Sequence, residues 1–268
     1  MNKYYEKKTA TDLEQALKIC LDLRKDHFWS FRGQRKAAWG VGLHAPASFE
    51  APDHQNTIKE IDDHLRQFQL RCMQFPPPHH IAEWDRWRWL FYGQHHRLTT
   101  RLLDWTKDPL VAIYFAVENI LSRANDHDDY GAIWALHVIP EHFIYSHTLK
   151  APEDFNDWVV VNPPPITPRL DRQSGLFTYH PGADCFTPLN ELDRRHTEKH
   201  TERLVKIEIV DRGHKNPSEH IRQQLGILNI HHGSLFPDPD GIANFINHEW
   251  PIIAYDRYLH LLDHDDIQ

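Results

Sequence analysis

A chain of 268 residues, 40% of them hydrophobic and 12% aromatic, is long enough to bury a substantial core, and no apolar run approaches the roughly 18 residues of a membrane helix. Its formal charge of −8 gives no overall pull toward nucleic acid, although its 22 histidines would raise that charge as pH falls through about 6.5. Cys20, Cys72 and Cys185 are far apart and lack CxxC spacing, which excludes a disulfide framework and points to a reducing cytoplasm, and the polar start from Met1 to Ala10 gives no secretion signal.

Thr11-Asp12-Leu13-Glu14 has the form of a capping box, and Leu13, Leu17, Cys20 or Leu21 and Arg24 follow at helical spacing, predicting a first helix to about Asp26. Phe28 to Arg32 reads as a strand with Trp29 and Phe31 on one face, ended by Gly33 where backbone needs to come close to something. Arg32 is then a charge at the end of an aromatic strand, which on the residues alone reads more readily as an ion pair with a core-edge carboxylate than as a ligand contact. Gln34 to Asp53 is a loop. Ile58, Ile61, Leu65, Phe68, Cys72 and Phe75 step by threes and fours, the stripe of a long amphipathic helix that Pro76-Pro77-Pro78 stops. Trp84, Trp87 and Leu90 or Phe91 form a further apolar face, whose helical spacing suits core packing better than base stacking.

The stretch Gln94 to Ala116 organises the rest. From Pro109 to Leu121 nearly every helical face is apolar, so a buried helix is expected with Pro109 in its first turn. Between Gln94 and Asp108 lie two histidines, two arginines, three threonines and two aspartates, and that many polar groups beside a buried helix need partners or a ligand.

Beyond an acidic turn at Asn125 to Tyr130, Gly131 to Ile139 reads as a strand apolar on both faces and hence central. Ala151 to Pro168 reads as a loop, and Arg169 to Tyr179 as a short strand entered through a polar corner, with Gly175 allowing a bulge or a close approach. Asn190 to Thr201 is a charged, exposed connection. Its His196 and His200 have metal-ligand spacing but no third ligand, so no metal site is assigned. Val205, Ile207 and Ile209 alternate with Lys206, Glu208 and Val210 as in a half-buried strand. Pro217 to Leu225 is a helix ended by Gly226, and Asp238 or Asp240 begins another carrying Ile242, Phe245 and Ile246. Interleaved helices and strands without internal repeats fit a single α+β domain.

Phe31-Arg32-Gly33-Gln34 with Trp39, Thr100-Arg101-Leu102-Leu103-Asp104-Trp105-Thr106 leading into Pro109 to Ala116, Gln173-Ser174-Gly175-Leu176-Phe177-Thr178, Leu225-Gly226-Ile227 and Leu235 to Gly241 occur in that order. Together they closely resemble the FRG domain family, from about Phe28 to Phe245. Before the second motif that family usually has His-Tyr-Gly-Leu-Pro. Here His95-His96-Arg97-Leu98-Thr99 keeps the histidine but lacks the Gly and Pro, so the loop's conformation does not follow from the resemblance.

A second, less complete resemblance is to toxin-type ADP-ribosyltransferases. Their aromatic-Arg-Gly at the end of a first strand is similar to Phe31-Arg32-Gly33. Their strand ending in Ser-Thr-Ser, ahead of Ala-x-x-Phe, is similar to Leu103 to Thr106 followed by Ala112 and Phe115. Gln173 stands where their catalytic glutamate would fall, and neither Ser-Thr-Ser nor that glutamate is present.

The resemblance implies an α+β fold with a small central split sheet flanked by helices, made of an N-terminal helix at 1–27, the FRG domain at 28–250 and a tail at 251–268 packed on it. It implies a cytoplasmic toxin or effector that cleaves NAD and transfers ADP-ribose to a protein or nucleic acid, in a toxin–antitoxin or phage-defence setting with a possible antitoxin partner and no membrane. Arg32, Gln173 and Asp104 would serve the chemistry. Arg32, Gly33, Tyr92, His95, Thr100, Arg101, Trp105 and Thr106 would bind NAD: the arginine on phosphate, hydroxyls and imidazole on ribose, Trp105 or Tyr92 stacked on nicotinamide. Breaking the nicotinamide–ribose bond builds positive charge on the ribose, which Asp104 or Asp171 would offset. For Asp104 itself, pairing with Arg101 or Arg32 and capping the helix that follows is the more ordinary role. A metal-dependent nuclease and a noncatalytic module holding a nucleotide or acidic peptide through Arg32, Arg101 and His95 are the rival readings.

Overall fold

A computed structural model describes residues 5–43, 54–74, 84–118, 130–145, 150–182, 186–191, 204–210, 217–251 and 253. The expected proline stop after Phe75, most of the acidic turn before Tyr130, the segment with His196 and His200, and nearly all of the tail lie outside these. Eight strands and eight α-helices interleave among the described residues, so the class is α+β. The chain divides into a first unit, residues 1–5, 40–107 and 136–204, and a second unit, residues 6–39, 108–135 and 205–268.

In the second unit the strands run in the order β1 (Glu6–Ala10), β8 (Leu204–Ile209), β4 (Ala132–His137) and β2 (Trp29–Gln34). Their core partner is α4 (Pro109–Val117), buried around most of its circumference as its composition requires, with α1 (Leu13–Leu23) and α6 (Pro217–Ile227) beside it. What lets α4 sit so deep is a pair of glycines. A Cβ at Gly33 would overlap the Ala112 carbonyl oxygen, and one at Gly131 would overlap the Ala116 carbonyl oxygen. The close approach expected at Gly33 is therefore made by helix backbone, and the room that the glycine leaves is filled by α4.

Several local expectations shift. α1 is capped by Asp12, whose side chain accepts from Gln15 N–H at 2.8 Å, one residue later than the Thr11-based box. β1 went unforeseen because its sequence Glu-Lys-Lys-Thr-Ala has no apolar alternation. It forms because it lies parallel to β8, Glu6 opposite Val205 and Ala10 opposite Ile209, with Lys7 paired to Glu208 at 2.6 Å. Nor is β8 half-buried: Lys206 on its second face is buried over the Trp134 ring, pairs with Glu208 at 3.0 Å and donates to the Ala37 carbonyl. α6 runs past Gly226 to Ile227. Its end is the left-handed Asn229 (φ 62°), where Ile230 N–H returns to Leu225 O and Asn229 N–H to Gly226 O. Gly226 instead clears space for the Ile253 side chain.

The first unit orders its strands β3 (Leu102–Thr106), β7 (Gly175–Tyr179), β6 (Val159–Asn162) and β5 (Phe143–Tyr145). β6 occupies what the sequence suggested was loop, a short apolar run hidden between prolines. β3 and β7 are antiparallel, with Asp104 opposite Phe177 and Leu102 opposite Tyr179. On that face α3 (Arg86–His95) packs Trp87 and Phe91 against Tyr179 and Phe177 at ring separations of 5.1 and 5.2 Å, and α2 (His54–Cys72) adds Leu65 and Phe68. The aromatic density is thus core, as its spacing indicated. Arg169 onward is not strand at first. Pro168–Arg172 is a short helix, α5, capped by Thr167, and β7 starts only at Gly175, where an added Cβ would meet ordinary contacts.

Candidate functional site

The polar stretch between Gln94 and Thr106 belongs to the first unit. α3 ends at His95, and the chain reverses through Arg97 at φ 64°, in the left-handed region that favours glycine. Leu98 N–H donates to Gly93 O at 2.9 Å and Arg97 N–H to Gln94 O at 3.0 Å, the paired bonds of a Schellman turn. Gly93 leaves room for Leu98 to fold against the helix. The backbone shape that glycine would favour is therefore kept here with an arginine.

This reversal puts the last turn of α3 beside β3. Leu102, Leu103, Trp105 and Thr106 are buried, and Asp104 between them is exposed. Leu102 packs with α3 in the aromatic core, whereas Asp104, two residues on along the same strand, is exposed. Gln94 bridges the two. The Thr100 hydroxyl accepts from Leu102 N–H at 3.1 Å and donates to Gln94 Oε1 at 2.6 Å, and Gln94 Nε2 donates to Asp104 Oδ2 at 2.9 Å and to the Leu102 carbonyl at 3.4 Å. Two acceptors on one side of the amide and a hydroxyl donor on the other leave a single consistent orientation for Gln94.

Thr106, the last residue of β3, donates to the Gln173 carbonyl at 2.7 Å, and Lys107 N–H donates to Ser174 O at 3.0 Å. These bonds moor the corner between α5 and β7, where Ser174 takes φ 46°. Gln173 is thus the residue that closes α5, not a strand residue. His95 Nδ1 lies 3.4 Å from the Thr167 hydroxyl, and its ring meets that of His96 edge-on at 4.8 Å. Burial first, and the Arg169 charge second, hold His96 below the usual histidine pKa.

Other expected ligand contacts have different employment. Arg101 is only 6% exposed: its guanidinium donates to Pro181 O at 2.9 Å, pairs with Asp62 at 3.3 Å and lies over the Tyr179 ring. Trp105, 3% exposed, offers no open ring face for a nicotinamide, and its indole N–H donates to the Thr178 hydroxyl. Tyr92 is packed by Phe68, Trp84, Trp89 and His96. The helix after β3 is capped by Asp108, which accepts from Leu110 N–H at 2.8 Å, so Asp104 does not cap it. Arg32 and Gly33 lie on β2 of the second unit, both partly buried. Among the described residues no three His, Cys, Asp or Glu side chains converge as metal ligands, and no helix is long and apolar enough to cross a membrane.

Gln94 is the residue that sequence reasoning passed over, and Thr167 is another. Gln94 heads the polar stretch, six residues before Thr100 and ten before Asp104, but only the reversal at Arg97 turns that spacing into contact.

Residues 27–125 match the family model described as FRG domain. The matched span contains the aromatic-Arg-Gly motif, β3 and α4, and stops short of the motifs at Gln173, Leu225 and Leu235. No curated protein and no solved structure matches the chain.

Proposed function

We propose that this chain, whose residues 27–125 match the FRG domain model, is an ADP-ribosyltransferase-like toxin or effector that cleaves NAD and passes ADP-ribose to a macromolecule. In this reading the sheet is of the ADP-ribosyltransferase type. The setting is cytoplasmic, in a toxin–antitoxin or phage-defence system with an antitoxin as partner. The observation that carries the proposal is Asp104, an exposed carboxylate on an otherwise buried strand, held by the Gln94 amide.

The chemistry asks for such a group. As the bond from C1′ to the nicotinamide nitrogen breaks, its electron pair goes to the pyridinium ring, which leaves neutral, and C1′ takes on oxocarbenium character. A carboxylate beside the ribose stabilises that charge without forming a bond itself. The acceptor's lone pair then closes on C1′ and its proton passes to solvent. His95, half-buried against Thr167, and Gln173 at the α5–β7 corner supply the ribose with hydrogen-bonding groups. Arg32 carries the motif that in the resemblance binds NAD phosphates, and Gly33 is assigned to packing α4.

The test is incubation of wild type, Arg32→Ala and Asp104→Asn with adenylate-labelled NAD and cell extract, followed by separate protein and nucleic-acid fractions. Label transferred by wild type and lost in both variants supports the transferase and names the acceptor class. Folded wild type that releases no nicotinamide overturns it.

A further inference from the structure

We propose that Gln94 is the positioning residue of the Asp104 site, an amide set by Thr100 that fixes the carboxylate of Asp104 for its role in NAD cleavage; this rests on the reading above. An aspartate on the exposed face of a strand ordinarily samples several rotamers, and an electrostatic catalyst that must first be ordered loses part of its effect. Here the ordering is done in advance. Thr100 is buried, and the Leu102 N–H it accepts belongs to the β3 backbone, so its hydroxyl hydrogen points at Gln94 Oε1. That bond turns Nε2 toward Leu102 O and Asp104 Oδ2. The amide is therefore tied to the strand at both ends, and its remaining N–H is aimed at the carboxylate.

An amide suits this place better than a charged donor would. An arginine or lysine in the same position would add a positive charge beside the carboxylate, whereas a neutral N–H orients it and adds none. Gln94 touches no reacting atom in this arrangement and acts only through Asp104.

Two measurements test the assignment. In steady-state nicotinamide release, Gln94→Glu replaces the donor by a second carboxylate and is expected to lower kcat at least tenfold with KM for NAD changed less than twofold. Asp104→Asn should lower kcat similarly, and the double variant should be no slower than the slower single variant, because both act through one group. Thr100→Val should give part of the loss and Thr100→Ser restore it. Multiplying losses, or Gln94→Glu at the wild-type rate, would overturn the proposal. Separately, the Gln94 side-chain amide signals in a 15N–1H spectrum of the full chain should move in Asp104→Asn and in Thr100→Val. Unmoved signals defeat the relay whatever the activity. Folded wild type without nicotinamide release, but with the spectral coupling present, defeats the NAD reading and with it the catalytic role of Gln94, while leaving the hydrogen-bond chain established.

Discussion

Asp104 in the first unit and Glu249 in the second are both carboxylates held by donors from the protein, yet their surroundings are opposite. Glu249, at the end of α8 (Pro239–His248), is 6% exposed and accepts from the Tyr114 hydroxyl at 2.8 Å, Arg222 at 3.1 Å and the His232 N–H at 2.8 Å. Burial and the nearby carboxylates of Glu118 and Glu249 keep Tyr114 firmly protonated. His232, on α7 (His232–Leu235), adds contacts to Tyr114 and Asn244. Such a carboxylate joins elements. Asp104, by contrast, is exposed, and the Gln94 amide donates to it.

The sharpest way to test that contrast is to remove Glu249. Glu249→Ala leaves the Arg222 guanidinium buried without its counter-charge, and we expect a loss of about 3–5 kcal/mol in urea unfolding. A loss below about 1 kcal/mol would mean that the cluster joins nothing.

Next in size is an effect of acid on the first unit. His180 is completely enclosed, its Nε2 2.9 Å from the Thr178 hydroxyl, and burial pushes its pKa down to about 4. An unfolded histidine titrates near 6.5, so the unfolded chain takes up the proton first as pH falls. Stability is therefore full above about pH 6.5 and falls progressively toward pH 4, by about 3 kcal/mol from this group. Urea midpoints measured across that range should fall in wild type and fall less steeply in His180→Gln; parallel slopes would remove His180 as the cause.

Arg97→Gly should raise stability by about 0.5–1 kcal/mol, because glycine takes the left-handed conformation without the cost that a side chain carries. Thermal melts should show an increase of about 1–3 °C. A decrease would imply that the arginine side chain makes a contact worth more than the strain. Asp104→Asn should be the mildest of all for the fold, within about 0.5 kcal/mol, while nicotinamide release falls at least tenfold. A variant that unfolds would place Asp104 in the same class as Glu249.

Legibility in the sequence followed the kind of force at work. Elements whose burial shows as periodicity were plain: α1, the stripe of Ile61 and Leu65 in α2, the wholly apolar α4 and the central β4. Gly33 announced a close approach but not which partner would make it, since that depends on a helix some eighty residues further along. β1, held by its neighbour rather than by its own pattern, was missed, and so was β6, whose short apolar run lies between prolines. So was the burial of Lys206, because what covers it is a backbone carbonyl and an aromatic ring brought in by distant chain. In the candidate site the polar richness of Gln94 to Asp108 was legible, but the division of labour within it was not. Arg101 and Trp105 looked like ligand groups and are core partners, whereas Gln94 looked unremarkable and holds the carboxylate. Composition gave the members, and only the left-handed corner at Arg97 decided which of them meet.

β1 also governs how the protein behaves among its own copies. Among the described residues it is the outer strand of the second unit's sheet, and its charges stand where a bare edge would present the backbone of β8 with its row of Val205, Ile207 and Ile209. An edge that carries Glu6, Lys7 and Lys8 resists pairing with another chain, while an apolar one invites it. The strand that gave least sign of structure thus acts as a guard against self-association, and any alteration that strips its charges away trades a soluble margin for a sticky one.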